Sequence, residues 1–495
     1  VHVRGTAYGY SYIFILLFLP LVVLGYYGLN YLKLNRIAML YLVGMSLWFY
    51  GYQNIYYLKT ILLIVLIPLI FFTLFIKYSR QEENRRPILL AISMAAVGVI
   101  FSIMAMIQAI GFTMGMGAAS CISRAIGASE YKEANIFAST SIFLSFFLAT
   151  LLAIIGLCNL QGFVTYLGST PTILPYAMDY ARYILLGAPF MASSFVMNAI
   201  LRSEGHATYA LMGIGLGGIL NMILDPICIF AIGWGTKGAA IATAFSQFVS
   251  FSILLYFFLR KKSIVHIAPK YLKIFSRKTI YLFTLGFPST LRQGLMTASC
   301  AILNIIAATY GDATIAAMSI VTRIVMFLGS AIIGLGQGMC PVIGFNYGLK
   351  KYRRVLDAYF TTMKFGFYMT IVSSCLVLAF APEIISIFRS DPDVVNVGAF
   401  TLRCQVVFIL CFPIMVFTNM LAQFLGYATS ASFLASLNHG LIFVPVILIL
   451  PKCFGLLGLE ITQAITDTIT LLIYIPFIIY YVKYLQSLEK GINKI

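Results

Sequence analysis

The sequence is poor in charge, above all in acidic residues. Only 10% of its 495 residues are charged and 15 are Asp or Glu, whereas 61% are hydrophobic. A soluble globular protein is about one quarter charged, so this composition excludes that class. Instead, about fourteen apolar runs approach the roughly 20 residues that a membrane-spanning helix needs. We therefore predict an all-α polytopic membrane protein.

Histidine and paired cysteine are scarce as well. The chain has four His and nine Cys, with no C-x-x-C pair and no Cys/His spacing typical of zinc sites. We expect no metal and no cofactor other than a coupling ion, and we interpret the cysteines as small core residues. The net charge of +18 does not indicate nucleic-acid binding, because the Lys and Arg residues lie in short loops and form no continuous basic face.

The basic residues are concentrated in every second loop. The intervening loops carry at most one Lys or Arg each. Positively charged loops face the cytoplasm, so this alternation predicts that the basic loops and the C-terminus are cytoplasmic. The basic segments are 124–132, Arg202, 260–278, 350–354 and 483–494.

The chain resembles itself at an offset of 221 residues. This offset aligns Gly115 with Gly336 and Asn198 with Asn419. A period of this length holds about six membrane helices, so the copies are parallel and related by an axis along the membrane normal. The repeat predicts two six-helix lobes with pseudo-two-fold symmetry. Further aligned pairs are Gly117 with Gly338, Gly127 with Gly348, Arg182 with Arg403, and Gly205 with Gly426.

The repeat stops upstream of about Val97, and a basic loop at 77–86 falls on the wrong side of the predicted topology. Both observations suggest a junction near 87–98. The predicted organisation is a separate transmembrane segment (1–95), an N-lobe with helices 2–6 (96–259), a cytoplasmic linker (260–278), a C-lobe with helices 7–12 (279–482) and a cytoplasmic tail (483–495).

Several segments from residue 97 onward resemble bacterial multidrug and toxin extrusion (MATE) transporters. The clearest is GMGAASCISRAIGA at 115–128, followed in order by segments 202–205, 220–226, 233–243, 317–323 and 341–348. The resemblance implies the MATE fold of two six-helix lobes in an outward-facing V. It also implies a monomer in the bacterial cytoplasmic membrane, in contact with lipid, that exports organic cations or drugs in exchange for Na⁺ or H⁺ and is not an enzyme.

Residues 1–95 are similar to a different family, the membrane-bound O-acyltransferases. The similarity lies in segments 12–21, 45–52 and 77–84. That family's catalytic histidine lies far downstream, and no histidine occurs between His2 and His206, so acyl transfer is not expected. We interpret the chain as a fusion in which about three foreign helices replace the first N-lobe helix; the alternative is a native first helix that matches poorly.

One aspartate stands out as a cation-binding candidate. Asp225 lies inside an apolar span, where a carboxylate suggests function by default. It follows Asn221 by four residues on the same helix face. The next residue, Pro226, removes a helical N–H and frees a carbonyl. With Thr243 on the next helix, these groups predict a cation site at a broken helix; the alternative is a hydrated carboxylate at a helix end.

The resemblance places the family's N-lobe cation site at Asn221, Asp225 and Thr243. It also implies an aspartate on the first helix. No Asp precedes Asp179 in this chain, so the site lacks that carboxylate.

The remaining candidates are less distinctive. Asp467 is either a C-lobe protonation site or a buried residue bonded to a neighbouring helix. Arginines 182, 292, 323 and 403 are expected near helix ends, with no transport role. The possible substrate-cleft residues are Met104, Gln108, Gln293, Met326 and Gln337. The alternative is that these side chains face the protein core or the lipid.

Three other functions stay open. A lipid-linked precursor flippase of the same superfamily would need a strongly basic central cavity, which few mid-helix basic residues can supply. The second alternative is that the chain is a fragment of a membrane O-acyltransferase, and the third is that it is a fusion without function.

Overall fold

The computed structural model describes residues 86–389 and 391–492, which are almost entirely helical. The predicted spans at 10–30, 36–52 and 59–77, with nearly all of the segment similar to acyltransferases, lie outside these residues. The N-lobe helices are α1 (Arg86–Gly127), α2 (Tyr131–Cys158), α3 (Leu160–Tyr166), α4 (Leu174–Ser203), α5 (Ala207–Pro226) and α6 (Gly235–Leu259). The C-lobe helices are α7 (Arg277–Ala308), α8 (Asp312–Gly348), α9 (Tyr352–Phe388), α10 (Pro392–Phe408), α11 (Phe412–Leu425), α12 (Ala428–Ser436) and α13 (Phe443–Ile492).

Ten helical segments among the described residues are long and apolar enough to cross a membrane. The last, Ala428–Gly491, has 64 residues and would be roughly 95 Å long if straight, against a hydrocarbon core of about 30 Å. The chain reverses at Gly455, whose φ is +58°. A Cβ added at Gly458 would lie 2.1 Å from the carbonyl oxygen of Leu450, which only a reversal allows. This segment therefore crosses twice, in agreement with the predicted spans 430–450 and 456–482.

One particular buried hydrogen bond is present at equivalent positions in both lobes. The Asn198 side-chain amide donates to the carbonyl of Ala210 at 2.7 Å, and Asn419 donates to the carbonyl of Ala431 at 2.6 Å. Both donors and both acceptors are 221 residues apart. The two lobes therefore repeat the same helix packing at the offset that the sequence shows.

Loop conformations repeat in the same way. Gly205 ends the turn after α4 with φ +89°, and Gly426 caps α11 with φ +99°. This left-handed conformation carries no steric penalty in glycine, which explains the residue type at both positions. Ser129 and Lys350, one after α1 and one after α8, share φ values of +62° and +57°.

The lobes meet chiefly where α1 packs against α7 and α8. A Cβ on Gly127 would lie 2.1 Å from the carbonyl oxygen of Phe345, and one on Gly348 would lie 2.2 Å from that of Arg124. Arg124 and Phe345 are themselves 221 residues apart, so the contact is reciprocal. It marks the pseudo-two-fold axis, and glycine is needed because the helix backbones touch there.

The segment between the lobes is fixed to the N-lobe surface. Its backbone N–H groups donate hydrogen bonds to polar side chains of α2. The predicted linker is therefore an ordered strap. These bonds run from His266 to Asn135 at 2.7 Å, from Ala268 to Ser139 at 3.2 Å and from Lys273 to Thr140 at 3.2 Å.

Candidate functional site

The three residues predicted for the N-lobe cation site lie together. Asn221 and Asp225 are one turn apart on α5, and the Asn221 amide donates to the Asp225 carboxylate at 3.0 Å. The same amide lies 3.3 Å from the Thr243 hydroxyl on α6. All three side chains are partly buried. A carboxylate, a side-chain amide and a hydroxyl thus converge between two helices.

The helix changes its geometry directly beside this cluster. α5 ends at Pro226, and a wider π-helical turn follows at Ile227–Ala231. Proline cannot donate a helical hydrogen bond, and π-turns often accompany functional sites because they re-aim neighbouring groups. The regular α-helical pattern ends at Pro226, but the chain continues as a π-helical turn and is not the broken helix that the sequence predicted.

Sequence reasoning missed one neighbour of this cluster. Tyr180 on α4 interacts with Thr243, lies near the Asp225 carboxylate and is 5% exposed. Tyrosine is common in this chain, with 31 copies, so only the contact reveals it.

The second aspartate lies in a cavity inside the C-lobe. Asp467 on α13 is 9% exposed and accepts a 2.8 Å hydrogen bond from Gln463, one turn earlier. The Gln463 amide is also 3.4 Å from the side-chain oxygen of Asn438, which adjoins Asp467. The cavity lies between α7, α8, α11, α13 and the region around α12, has a volume of about 320 Å³ and is partly open.

Arg292 lies on the wall of the same cavity. It stands in the middle of α7 and donates to the Asn419 side-chain oxygen at 3.3 Å. The prediction that Arg292 lies near a helix end is wrong. The Asn419 side chain accepts a hydrogen bond from its guanidinium inside the lobe, so the Arg292 side chain does not need to extend to the membrane surface.

The candidate cleft residues occupy different surroundings. Gln293 and Met326 line the C-lobe cavity. Gln337 instead accepts a short hydrogen bond from Arg202 across the lobe interface. Met104 packs against the apolar core of the N-lobe, and Gln108 is half-buried on α1. The structure therefore brings two of the five together.

Two parallel helical lobes, each with a polar cluster among membrane-spanning helices, are an architecture that many secondary transporters share. The family model MatE matches residues 89–227 and 288–449, more than half of the chain. The chain belongs to the MatE family of multi-pass membrane transporters.

Its relatives agree with this assignment. Multidrug export protein MepA of Staphylococcus saprophyticus is 29% identical over 380 residues, which cover 76% of this chain and 83% of that protein. A solved outward-facing multidrug resistance MATE transporter is 28% identical with a TM-score of 0.75, covering 80% of this chain and 89% of that one. A Pyrococcus furiosus transporter of the MOP superfamily, described as having a binding pocket of reverse polarity, is 26% identical with a TM-score of 0.74, covering 86% and 94%. These relatives are transporters, as the expectation of a non-enzyme requires.

Proposed function

We propose that this chain is an antiporter that exports organic cations or drugs in exchange for Na⁺ or H⁺. The observation that carries the proposal is the cluster of Asn221, Asp225 and Thr243 at the interrupted end of α5. The name of the staphylococcal relative, a multidrug export protein, supports the same substrate class. The expected partners are small organic cations and membrane lipid, and the expected state is a monomer.

The cluster suggests how coupling works. The Asn221 amide occupies one Asp225 oxygen, which leaves the other oxygen and the Thr243 hydroxyl to contact an ion. A bound Na⁺ or H⁺ neutralises the carboxylate and favours a different packing of α5 and α6. α1 is the N-lobe helix that packs against α7 and α8 of the C-lobe. A different packing inside the N-lobe therefore biases the rocking of the lobes about the α1–α8 contact, as alternating access requires.

The remaining roles follow from position. Gln293 and Met326 in the C-lobe cavity, with Met104, Gln108 and Gln337 on the helices that meet between the lobes, are the proposed substrate contacts. Asp467 is the proposed C-lobe protonation site. The basic loops support a cytoplasmic position for the linker and the C-terminus.

Gradient-driven efflux in sealed vesicles tests the proposal. Asp225→Asn keeps the shape and the Asn221 contact but removes the charge, so we expect ion-driven export to be lost. Asp357→Asn, an exposed carboxylate on α9, is the matched control and should transport normally. Export by Asp225→Asn at the normal rate would reject the coupling role. Imposing a Na⁺ or a pH gradient separately identifies the ion.

The similarity of residues 1–95 to membrane O-acyltransferases supports a second proposal, that the chain is a fusion. The family match begins at residue 89, inside α1, which supports a junction near the start of the predicted range 87–98. Sequencing the transcript across this region tests the idea, since two separate messages would make the fusion an assembly artefact.

A further inference from the structure

The C-lobe cavity carries opposite charges at two places on its wall. Among the described residues that line it, Arg292 and Asp467 carry opposite formal charges, and His439 is a further ionisable side chain. The ion pairs found in the described residues are Lys278 with Glu133 and Arg389 with Asp391, so Arg292 and Asp467 do not pair with each other. Two unpaired charges inside a membrane protein are unfavourable, which indicates that each has a function.

The two charges lie apart. Asp467 is grouped with Gln463 and Asn438, whereas Arg292 is near Tyr474 and donates to Asn419. Asp467 and Tyr474 are seven residues apart on α13, which separates the two groups by about 10 Å along the helix. That distance is within the length of a drug-sized molecule.

Arg292 is equipped to bind an anion. A guanidinium has five N–H donors in a planar fork that fits a carboxylate through two parallel bonds. Among the described residues, its side chain donates a hydrogen bond only to Asn419. The cavity wall also carries the apolar and adaptable side chains of Met296, Met326 and Phe412.

We propose that the C-lobe cavity binds a zwitterionic amphiphile. Its carboxylate lies on Arg292, its cationic group on Asp467, and its apolar body against the methionine and phenylalanine side chains between them. The inference refines the substrate class of the proposed function and rests on it only for the statement that the bound molecule is exported.

A pair of dyes that differ in one group tests the idea. A rhodamine with a free benzoate is a zwitterion at neutral pH, and its methyl ester is a cation with the same body. Binding of each dye to the full chain in detergent is measured by fluorescence anisotropy. We expect the free acid to bind about tenfold tighter, because one charge-assisted contact is gained. Equal binding, or tighter binding of the ester, would overturn the proposal without any variant.

Variants assign the two ends. Arg292→Gln should abolish the preference for the free acid, and Arg292→Lys should retain part of it because the charge remains without the fork. Asp467→Asn should weaken both dyes and keep the preference. Arg323→Gln, an exposed arginine outside the cavity, is the matched control and should behave as the unchanged protein. A folded Arg292→Gln protein that still prefers the acid contradicts the assignment.

The dye measurement is an equilibrium without an ion gradient. A variant that loses gradient-driven efflux can therefore still bind the dyes. The failure of the coupling proposal is thus distinguishable from the failure of the binding proposal.

Discussion

Gly127 and Gly348 lie where the backbones of α1 and α8 touch on the pseudo-two-fold axis. Neither position has room for a side chain, because the nearest atom is a carbonyl oxygen of the opposite helix. Backbone atoms cannot rotate away as a flexible side chain can. At these positions even one methyl group must therefore separate the lobes.

We expect Gly127→Ala and Gly348→Ala each to destabilise the protein by about 1–3 kcal/mol, as overpacking does in tightly packed interiors. Thermal unfolding in detergent measures the change. Gly218→Ala is the matched control, since nothing in the described residues lies within 4 Å of a Cβ there. Alanine favours a helix over glycine by up to about 1 kcal/mol, so the control should be neutral or stabilising. A loss of stability as large in the control as at the axis would contradict the interpretation.

The strap between the lobes is also attached to the N-lobe through one carboxylate. Glu204, in the turn after α4, accepts the Ser263 hydroxyl at 2.8 Å and the backbone N–H groups of Ile264 and Val265 at 3.0 Å each. Burial raises the pKa of Glu204 above its ordinary value of 4.5, and these hydrogen bonds only partly oppose the shift. Glu204 therefore ties the strap to the N-lobe in a pH-dependent way.

The direction of that dependence follows from linkage. A carboxyl whose pKa is raised on folding holds its proton more strongly in the folded state, so its contribution to stability is complete below the unfolded pKa. It is lost as the pH rises through the folded pKa. The stability of the unchanged protein relative to Glu204→Gln should thus increase as the pH falls from neutral towards 4.5. Thermal unfolding of both proteins across this range tests the expectation, and a difference that grows with rising pH would refute it.

At the scale of the whole molecule, the proposed alternating access requires the contact between the lobes to open and close. The hydroxyl groups of Thr113 on α1 and Thr290 on α7 touch across this contact. Nearby, a Cβ on Gly286 would meet the carbonyl of Thr113, so the two helices are closely packed along this stretch.

A disulfide at this place should lock the lobes. In a variant without the native cysteines, combining Thr113→Cys with Thr290→Cys should form a disulfide on oxidation and stop efflux from vesicles, and a reductant should restore it. Each single variant is a control that oxidation should not affect. Complete cross-linking with normal efflux would show that this contact stays closed during transport.

The sequence alone determined the membrane location, the number of crossings from residue 88 onward and the two-lobe repeat. These properties depend on local composition and periodicity, because every span must bury its backbone polar groups in its own helix. The spacing of Asn221 and Asp225 likewise placed them on one helix face, since the helical period is itself local. Even the two crossings from α12 onward were predictable from the length of the apolar run.

Only the tertiary structure brought Tyr180 to Thr243, Arg292 into the cavity of Asp467 and the strap onto α2. Each of these contacts joins residues on different helices, and the faces that helices present to one another are set by their packing, which no local pattern encodes. The sequence thus determined which helices form and in what order, and the packing decided which of their polar groups meet.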